Sequence, residues 1–451
     1  MAELIKKGQL FLKETIAKIL EKEDWDELEL VLRDYFLQDI AHVMKHFALE
    51  QNEVILKYLG AEKAGILIRE TDRFTRAELI ARMDENFLLA ILDTLPSDDA
   101  ADILGRLARE QTARLLKLME HRRAVETQRL LQFHPDTAGG IMTQNYIAIS
   151  ENFSLEQAID EVRKQSQDFL APRIYVVDDN NILKGYVPTG RLLMKETSVP
   201  VKEVMISRLI KVKTDMDQEE VAQIGTRFDL FTVPVVDNLD RLVGVITVDD
   251  VMDVIHREAT EDAFKLSGTD INELEERSAV RIARIRVPWL FATIIGELVA
   301  SFTIGYFAVG FKNLIPLFVF VPIIMALGGN VGSQTATVIV RGLAIGQVTA
   351  KDLVFVLFKE VRVGVILGIV LGAVMGLLAY VRFVGAYSGI AMVVGISMFC
   401  VLMLGVSVGT FLPIFFKRLN VDPAVATAPF VSVILDNLGI AIYFLLAKII
   451  I

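Results

Sequence analysis

The sequence predicts a multidomain protein with an α-helical N-terminal region, a repeated α/β module and an all-α domain of five membrane-spanning helices. One observation is the uneven charge. Only five of the 57 acidic and nine of the 47 basic residues lie in 287–451, so the net charge is −14 before residue 287 and +4 after it. The other is a sequence repeat within 137–257. The expected domains are 1–136, 137–200, 201–257, a connecting helix over 258–286, and the membrane domain 287–451.

Composition excludes several classes of protein. Cys400 is the only cysteine, which excludes a disulfide framework and a cysteine-based metal site. The acidic soluble portion does not suit nucleic-acid binding, which requires a basic surface. The N-terminal stretch MAELIKKGQLFLKE has no long apolar core, so we expect no signal peptide and a cytoplasmic location for the soluble portion.

Five apolar stretches are long enough to cross a bilayer, which requires about 20 residues each. They are roughly 287–310, 314–340, 363–381, 389–416 and 424–451. Lys and Arg are concentrated in the loops that follow the second and the fourth stretch, and such loops are usually cytoplasmic. We therefore expect a multi-pass protein of the cell membrane, with its soluble domains inside and its C-terminus outside.

Two carboxylates, Glu297 and Asp436, lie well inside these stretches. A charge at the bilayer centre costs at least about 2.5 kcal/mol, so it normally faces the bundle interior, water or a partner. Both are functional candidates. The alternative is a neutral or hydrogen-bonded group that joins neighbouring helices, and it is weaker for Asp436, whose surroundings add Ser432 and Asn437.

The second apolar stretch contains a polar run, 328–335, with the sequence GGNVGSQT. Its glycines allow close backbone approach, and its amide and hydroxyl groups suit a hydrated path. A phosphate-binding P-loop is excluded because the sequence contains no GxxxxGK[ST].

Helical spacing places Ala428, Ser432 and Asp436 on one face, and we expect Pro429 to leave nearby carbonyl oxygens free. One such face cannot fully coordinate a bare divalent ion. Two faces in a symmetric homodimer would form a ring for a cation that keeps its water. Hard oxygen ligands without Cys or His favour Mg²⁺ over zinc or copper.

The repeat in 137–257 is in register over its whole length. Val176-Val177-Asp178 matches Val235-Val236-Asp237 at a separation of 59 residues, and Gly185 matches Gly244 at the same separation. Each copy predicts a strand, a helix, two strands joined by a turn and a final helix. This order resembles tandem CBS domains, which sense small ligands.

Two acidic runs lie outside the membrane domain. The first is at a predicted helix start, with Ser97 as the expected N-cap, where the alternative role of the acids is to favour the helix dipole. The second precedes the membrane domain; such a run is usually a solvated face, but here cation binding could change how domains pack. The two runs comprise Asp98, Asp99 and Asp102, and Asp249, Asp250, Asp253, Glu258, Glu261 and Asp262.

Four segments together resemble the MgtE family of magnesium channels and transporters. They are PIIMALGGNVGSQTATVIVRGLA, VDPAVATAPFVSVILDNLGIAIYF, VGVITVDDVMDVIHREATEDAFKL and LPSDDAADIL. The resemblance covers essentially the whole chain. It implies a homodimer with an N-terminal superhelix, two CBS domains, a connecting plug helix and an axial pore for hydrated Mg²⁺, closed by Mg²⁺ bound between cytoplasmic domains.

The resemblance also implies residue roles. Asp436 matches the pore aspartate, Ala428 and Ser432 line the same path, and Asn330 lies in the GGN motif. Glu360 and Asp422 match metal-binding acids near the cytoplasmic pore mouth. The nine acids of the two runs match the regulatory magnesium surfaces. Arg191 stands where nucleotide-binding CBS pairs have an acid, so ATP binding is doubtful and no cofactor-binding residue is expected.

The function expected from the sequence is passive magnesium uptake, closed by Mg²⁺ itself and driven without an ATPase. The partners expected are a second copy of the chain and membrane lipid, with no nucleic acid. The alternatives are transport of Mn²⁺ or Co²⁺, ion-coupled export, and a membrane-anchored sensor. An enzyme is not expected, because beside their two acids the apolar stretches contain no histidine and no recognisable nucleophile or metal motif.

Overall fold

The structure, a computed structural model, describes residues 2–71, 73–165, 172–274, 276, 278–311, 315–349, 351–383, 389–425 and 428–451. It divides into two compact units, Met1–Ile255 and His256–Ile451, and each is described by itself.

The N-terminal region of the first unit consists of helices on one apolar core, as predicted. In α1, Leu12, Ile16 and Ile19 recur at helical spacing and are buried. Asp84 caps α6 by accepting hydrogen bonds from the backbone N–H groups of Asn86 and Phe87. The helices are α1 (Ala2–Lys22), α2 (Trp25–Asp34), α3 (Leu37–Met44), α4 (Leu49–Glu70), α5 (Arg73–Arg82), α6 (Glu85–Leu92), α7 (Ser97–Leu104), α8 (Arg109–Leu118) and α9 (His121–Leu130).

The repeat folds as two copies of one α/β module. The first contains β1 (Ala148–Ser150), α10 (Leu155–Gln165), β2 (Arg173–Val177), β3 (Leu183–Pro188) and α11 (Thr189–Met194). The second contains α12 (Val201–Val204), β4 (Val212–Lys213), α13 (Gln218–Arg227), β5 (Thr232–Val236), β6 (Leu242–Thr247) and α14 (Val248–Leu266). Each sheet has one parallel and one antiparallel pair, in the orders β1-β2-β3 and β4-β5-β6.

The two copies share the same turn and are hydrogen-bonded to each other through it. Asn181 and Asp240 have φ of 61° in both turns. The backbone N–H of Leu183 donates to Asp240 O at 3.1 Å, and that of Leu242 donates to Asn181 O at 3.0 Å. These reciprocal hydrogen bonds join the repeats at equivalent positions.

The connecting segment differs from the predicted single helix over 258–286. It consists of the end of α14, a short 3₁₀ helix (Ile271–Leu274) and the start of the next long helix at Ala279. The physical reason lies at Gly268, whose φ of +71° is incompatible with a continuing α-helix.

Within the described residues of the second unit, five helices are long and apolar enough to cross a membrane. They are α15 (Ala279–Gly310), α16 (Ile315–Ala344), α17 (Leu353–Arg382), α18 (Ile390–Arg418) and α19 (Ala428–Ile450). Some of these helices are longer than the apolar stretches that predicted them. The helix α17 begins at Leu353 because a charged segment containing Lys359, Glu360 and Arg362 continues the same helix.

The helix α18 packs against α16, α17 and α19, while α15 packs on α19. Close approach of α16 and α18 depends on small residues, because a Cβ atom on Gly409 would collide with the carbonyl oxygen of Gly332. This packing holds the polar run of α16 at a fixed depth beside α19.

Candidate functional site

A cavity of about 510 Å³ lies between α15, α16 and α19. Its polar lining comes from Asn330 on α16 and from Ser432 and Asp436 on α19. These are three of the four residues that the sequence assigned to the ion path. The remaining lining is Ile304, Val321, Pro322, Met325, Ala326 and Gly329.

The start of α19 only partly matches the expectation. Asp436 follows Ser432 by one helical turn, so the two share a face as predicted. Ala428 begins the helix, and its side chain lies outside the described residues. Pro429 stands in the first turn, where the backbone N–H groups have no intrahelical acceptor. Pro429 therefore breaks no hydrogen bond within α19 itself.

Glu297, the second carboxylate within the membrane helices, lies against Asp436. The Glu297 carboxyl group is the charged neighbour of the Asp436 carboxyl group. Asn437, beside Asp436, donates a hydrogen bond through Nδ2 to the carbonyl oxygen of Gly296, beside Glu297, at 3.0 Å. The two predicted intramembrane acids thus form one pair.

The acids predicted at the pore mouth have different surroundings. Glu360 on α17 is buried, with Lys359 Nζ at 3.8 Å from its carboxylate. Asp422 accepts a hydrogen bond from Lys265 Nζ at 2.6 Å, and Lys265 also pairs with Glu261 at 2.5 Å. Burial alone would lower the pKa of Lys265, but hydrogen bonds with Asp422 and Glu261 outweigh it and raise the pKa. A cation at Asp422 must therefore displace or join an ammonium group.

Within the first unit, Asp98 and Asp99 at the start of α7 lie near Asp250 at the start of α14. Burial and, to a smaller extent, the neighbouring carboxylates of Asp99 and Asp250 together raise the pKa of Asp98 to about 7. Thr143 Oγ1 donates a hydrogen bond to Asp98 Oδ1 at 3.2 Å. Asp98, Asp99 and Asp250 are called the carboxylate cluster below.

The other two members of the cluster are also hard to ionise. Burial raises the pKa of Asp99 to about 6, against the opposing charge of Arg69, whose Nη1 lies 3.6 Å from Asp99 Oδ2. Burial likewise raises the pKa of Asp250 to about 6, against a 2.5 Å hydrogen bond from the Thr247 hydroxyl. At neutral pH the cluster therefore carries mutually repelling charges that a bound cation would offset.

Ser97 does not act as the predicted N-cap. It is the first residue of α7, and its hydroxyl donates to Glu126 Oε2 at 2.9 Å. Asp98 and Asp99 do lie in the first turn, where they favour the helix dipole, so this alternative role coexists with the cluster.

The remaining predicted regulatory acids are more dispersed. Asp102 lies close enough to Asp99 to raise its pKa. Asp249 and Asp253 are exposed on α14, and Glu258, Glu261 and Asp262 follow on the same helix. Over the described ranges, no three acidic, histidine or cysteine side chains converge closely enough to hold a metal ion directly. Any cation here would keep much of its water or bind across a further chain.

Arg191, which made ATP binding doubtful, has a specific partner. It lies in α11, and its Nη1 donates a hydrogen bond to the carbonyl oxygen of Val204 at 3.1 Å. The guanidinium is thus held against the polypeptide backbone.

Sequence reasoning missed the partners of these acids. Arg69, Thr143 and Lys265 are each distant in sequence from the acid they contact. The sequence around each acid does not indicate these contacts, because the partners are brought together only by the fold. The isolated acids Glu297 and Asp436 were a signal, because an intramembrane carboxylate without a nearby charge in sequence must find a partner in space.

Comparison with family models matches the chain in four segments. Residues 35–136 match the MgtE intracellular N domain, 138–196 and 201–257 match the CBS domain, and 321–446 match MgtE, a divalent cation transporter. These matches confirm the tandem CBS domains read from the repeat.

Curated relatives match over most of their length. The magnesium transporter MgtE of Thermus thermophilus is 33% identical over 440 residues, which cover 96% of this chain and 97% of the relative. The magnesium transporter MgtE of Bacillus subtilis is 30% identical over 411 residues, which cover 90% of each.

Solved structures match the soluble portion. The cytosolic domain of the Mg²⁺ channel MgtE in complex with ATP is 32% identical with a TM-score of 0.51, covering 54% of this chain and 99% of that one. The soluble part of a magnesium transporter is 25% identical with a TM-score of 0.50, covering 56% and 99%. Together with the relatives that match from end to end, these findings confirm the resemblance seen in the motifs. The chain is a multi-pass membrane protein and belongs to the MgtE family of magnesium transporters.

Proposed function

We propose that this chain admits Mg²⁺ passively across the cytoplasmic membrane and closes when Mg²⁺ binds its acidic cytoplasmic surfaces. The observation that carries the proposal is the cavity in which Asn330, Ser432 and Asp436 meet at the depth of the membrane helices. A carboxylate there is costly unless it serves water or an ion.

The size and chemistry of the cavity support a hydrated cation. Six waters at about 30 Å³ each occupy about 180 Å³, well within the cavity of about 510 Å³. Mg²⁺ gives up its octahedral water reluctantly, and hard oxygen ligands suit it. One carboxylate with an amide and a hydroxyl can hold such an ion through its water without stripping it.

The proposal includes a homodimer. A single Asp436 provides one negative charge for a divalent cation, whereas two copies related by a symmetry axis provide two. The proposal places the first unit and the loops after α16 and α18 in the cytoplasm, following the Lys and Arg of those loops. An inward-negative potential supplies about 2.3 kcal/mol per charge per 100 mV, or about 4.6 kcal/mol for Mg²⁺, so no ATP hydrolysis is needed.

Closure by Mg²⁺ follows from the electrostatics of the carboxylate cluster. Asp98, Asp99 and Asp250 are partly buried near one another and resist ionisation. A divalent cation offsets their repulsion and favours the packed arrangement of α7 against α14. We propose that the exposed acids Asp249 and Asp253, with Glu258, Glu261 and Asp262, extend this sensor along α14.

Replacing the intramembrane aspartate tests the path. We expect Asp436→Ala to lower magnesium flux by about 10- to 100-fold, because a charged contact worth about 1.5–3 kcal/mol is lost. Flux is measured in proteoliposomes with a magnesium-sensitive dye. Asp352→Ala removes an acid at the start of α17, outside the cavity, and should leave flux within about twofold. Wild-type flux through a folded Asp436→Ala protein would contradict the proposed path, and competition by Mn²⁺ or Co²⁺ in the same assay measures selectivity.

Removing the soluble domains tests the sensor. We expect a chain lacking residues 1–257 to conduct at a rate that no longer falls as Mg²⁺ on the cytoplasmic side rises into the millimolar range. If the truncated chain were still fully inhibited, the sensor would lie in residues 258–451.

Substitutions in the full chain test the carboxylate cluster itself. Asp98→Asn with Asp250→Asn should raise the half-inhibitory Mg²⁺ concentration severalfold, whereas Asp160→Asn, on α10, should not.

The raised pKa values predict an unusual pH dependence. Since the folded cluster binds protons more tightly than the unfolded chain, its contribution to stability falls as pH rises from about 4 to about 7. In chelator we therefore expect hydrogen exchange in α7, corrected for intrinsic rates, to indicate easier opening at pH 8 than at pH 5. Millimolar Mg²⁺ should reverse most of this change, and Asp98→Asn should weaken it. Greater protection at pH 8 without Mg²⁺ would refute the assignment.

The surroundings of Arg191 predict that ATP binds weakly or not at all. A guanidinium has only donors and cannot accept hydrogen bonds from ribose hydroxyls. Calorimetric titration of the chain with ATP should give no micromolar binding, and Arg191→Asp should gain affinity. Micromolar binding by the unaltered chain would overturn this expectation and place the chain with the relative solved in complex with ATP.

A further inference from the structure

Glu297 has no role in the ion path described so far, although it is one of two carboxylates within the membrane helices. Its helix α15 presents mostly apolar side chains outward: Ile294, Ile295, Leu298 and Val299 are each more than half exposed. Glu297 is partly buried, and Gly296 and Ala300 beside it are buried. The carboxyl group therefore lies on the face of α15 that packs on α19.

Packing fixes where Glu297 meets α19. A Cβ atom on Gly296 would overlap the side chain of Val433, so the helices touch at this glycine. Asn437 Nδ2 donates to the carbonyl oxygen of Gly296 at 3.0 Å and to that of Val433 at 2.8 Å. These contacts of Gly296 with Val433 and Asn437 hold Glu297 opposite Asp436.

The contact between these two carboxyl groups is chemically specific. Over the described ranges, Glu297 forms no ion pair with Lys, Arg or His, and its polar neighbour is the Asp436 carboxyl. A hydrogen bond between two carboxyl groups requires that one donates an O–H and the other accepts. Asp436 also lines the cavity, whereas Glu297 does not. The Glu297 carboxyl group is thus a neighbour of Asp436 that is not itself part of the cavity lining.

We propose that Glu297 is a positioning residue for transport: its carboxyl group holds Asp436 through a hydrogen bond so that the Asp436 carboxylate faces the cavity. This proposal rests on the path proposed above and identifies a further residue of the same site. Without Glu297, Asp436 must lose rotamer freedom each time it meets an ion, which weakens the interaction with Mg²⁺.

Three substitutions in the full chain separate positioning from packing. Glu297→Gln keeps the length and a hydrogen-bond donor, so magnesium flux in proteoliposomes should have a wild-type KM. Glu297→Met keeps the approximate volume without a hydrogen bond, and Glu297→Asp keeps the carboxyl but is one methylene shorter. Both should raise the KM for Mg²⁺ about three- to tenfold, with the maximal flux little changed. Thermal stability in detergent identifies any variant that fails to fold. If Glu297→Met fails to fold, the KM of Glu297→Asp tests the proposal in its place.

The outcomes are distinguishable. A wild-type KM in both Glu297→Met and Glu297→Asp would overturn the proposal, since packing alone would then suffice to position Asp436. An equal rise in KM in folded Glu297→Gln, Glu297→Met and Glu297→Asp would also overturn the proposal. The hydrogen bond that Gln can still form would then make no difference. If Asp436→Ala lowers flux as expected while every Glu297 variant behaves as wild type, only this inference fails. If Asp436→Ala leaves flux intact, the proposed path itself fails.

Discussion

The cost of placing a carboxylate in hydrocarbon constrains the whole membrane domain. Asp436 can remain at its depth only because α15, α16 and α19 surround it with an amide, a hydroxyl and a second carboxyl group. Close approach of α15 and α16 to α19 requires small residues, and glycines stand at these contacts: Gly296 faces Val433, and Gly332 faces Val431 and Leu435.

The fold was largely accessible from sequence because its signals are local. Apolar length identified the membrane helices, and the separation of 59 residues between Gly185 and Gly244 identified two modules, whose strands pair in the same register. Helix ends were less accessible: Gly268 interrupts the expected connecting helix, and Ser97 bonds to Glu126 instead of capping α7. These outcomes depend on backbone conformation and on tertiary partners.

The site was accessible only in part for the same reason. Helical spacing placed Ser432 and Asp436 on one face, and polarity indicated Asn330 as a third lining residue. Nothing near Asp422 in sequence indicates that Lys265 neutralises it, and nothing near Asp98 indicates Asp250. Charge runs reveal where a protein is acidic, but only the fold reveals which acids repel one another and which are paired.

The reciprocal hydrogen bonds between the two repeats have a mechanical consequence. Leu183 and Leu242 each donate a backbone N–H to the turn of the other repeat, and Tyr175 is hydrogen-bonded to Thr232 between buried strands at 2.7 Å. Separating the repeats would leave these donors without acceptors in an apolar interior, which is costly. The pair therefore behaves as a stiff block that transmits displacement without absorbing it. We therefore expect a displacement of one repeat to carry the other repeat with it.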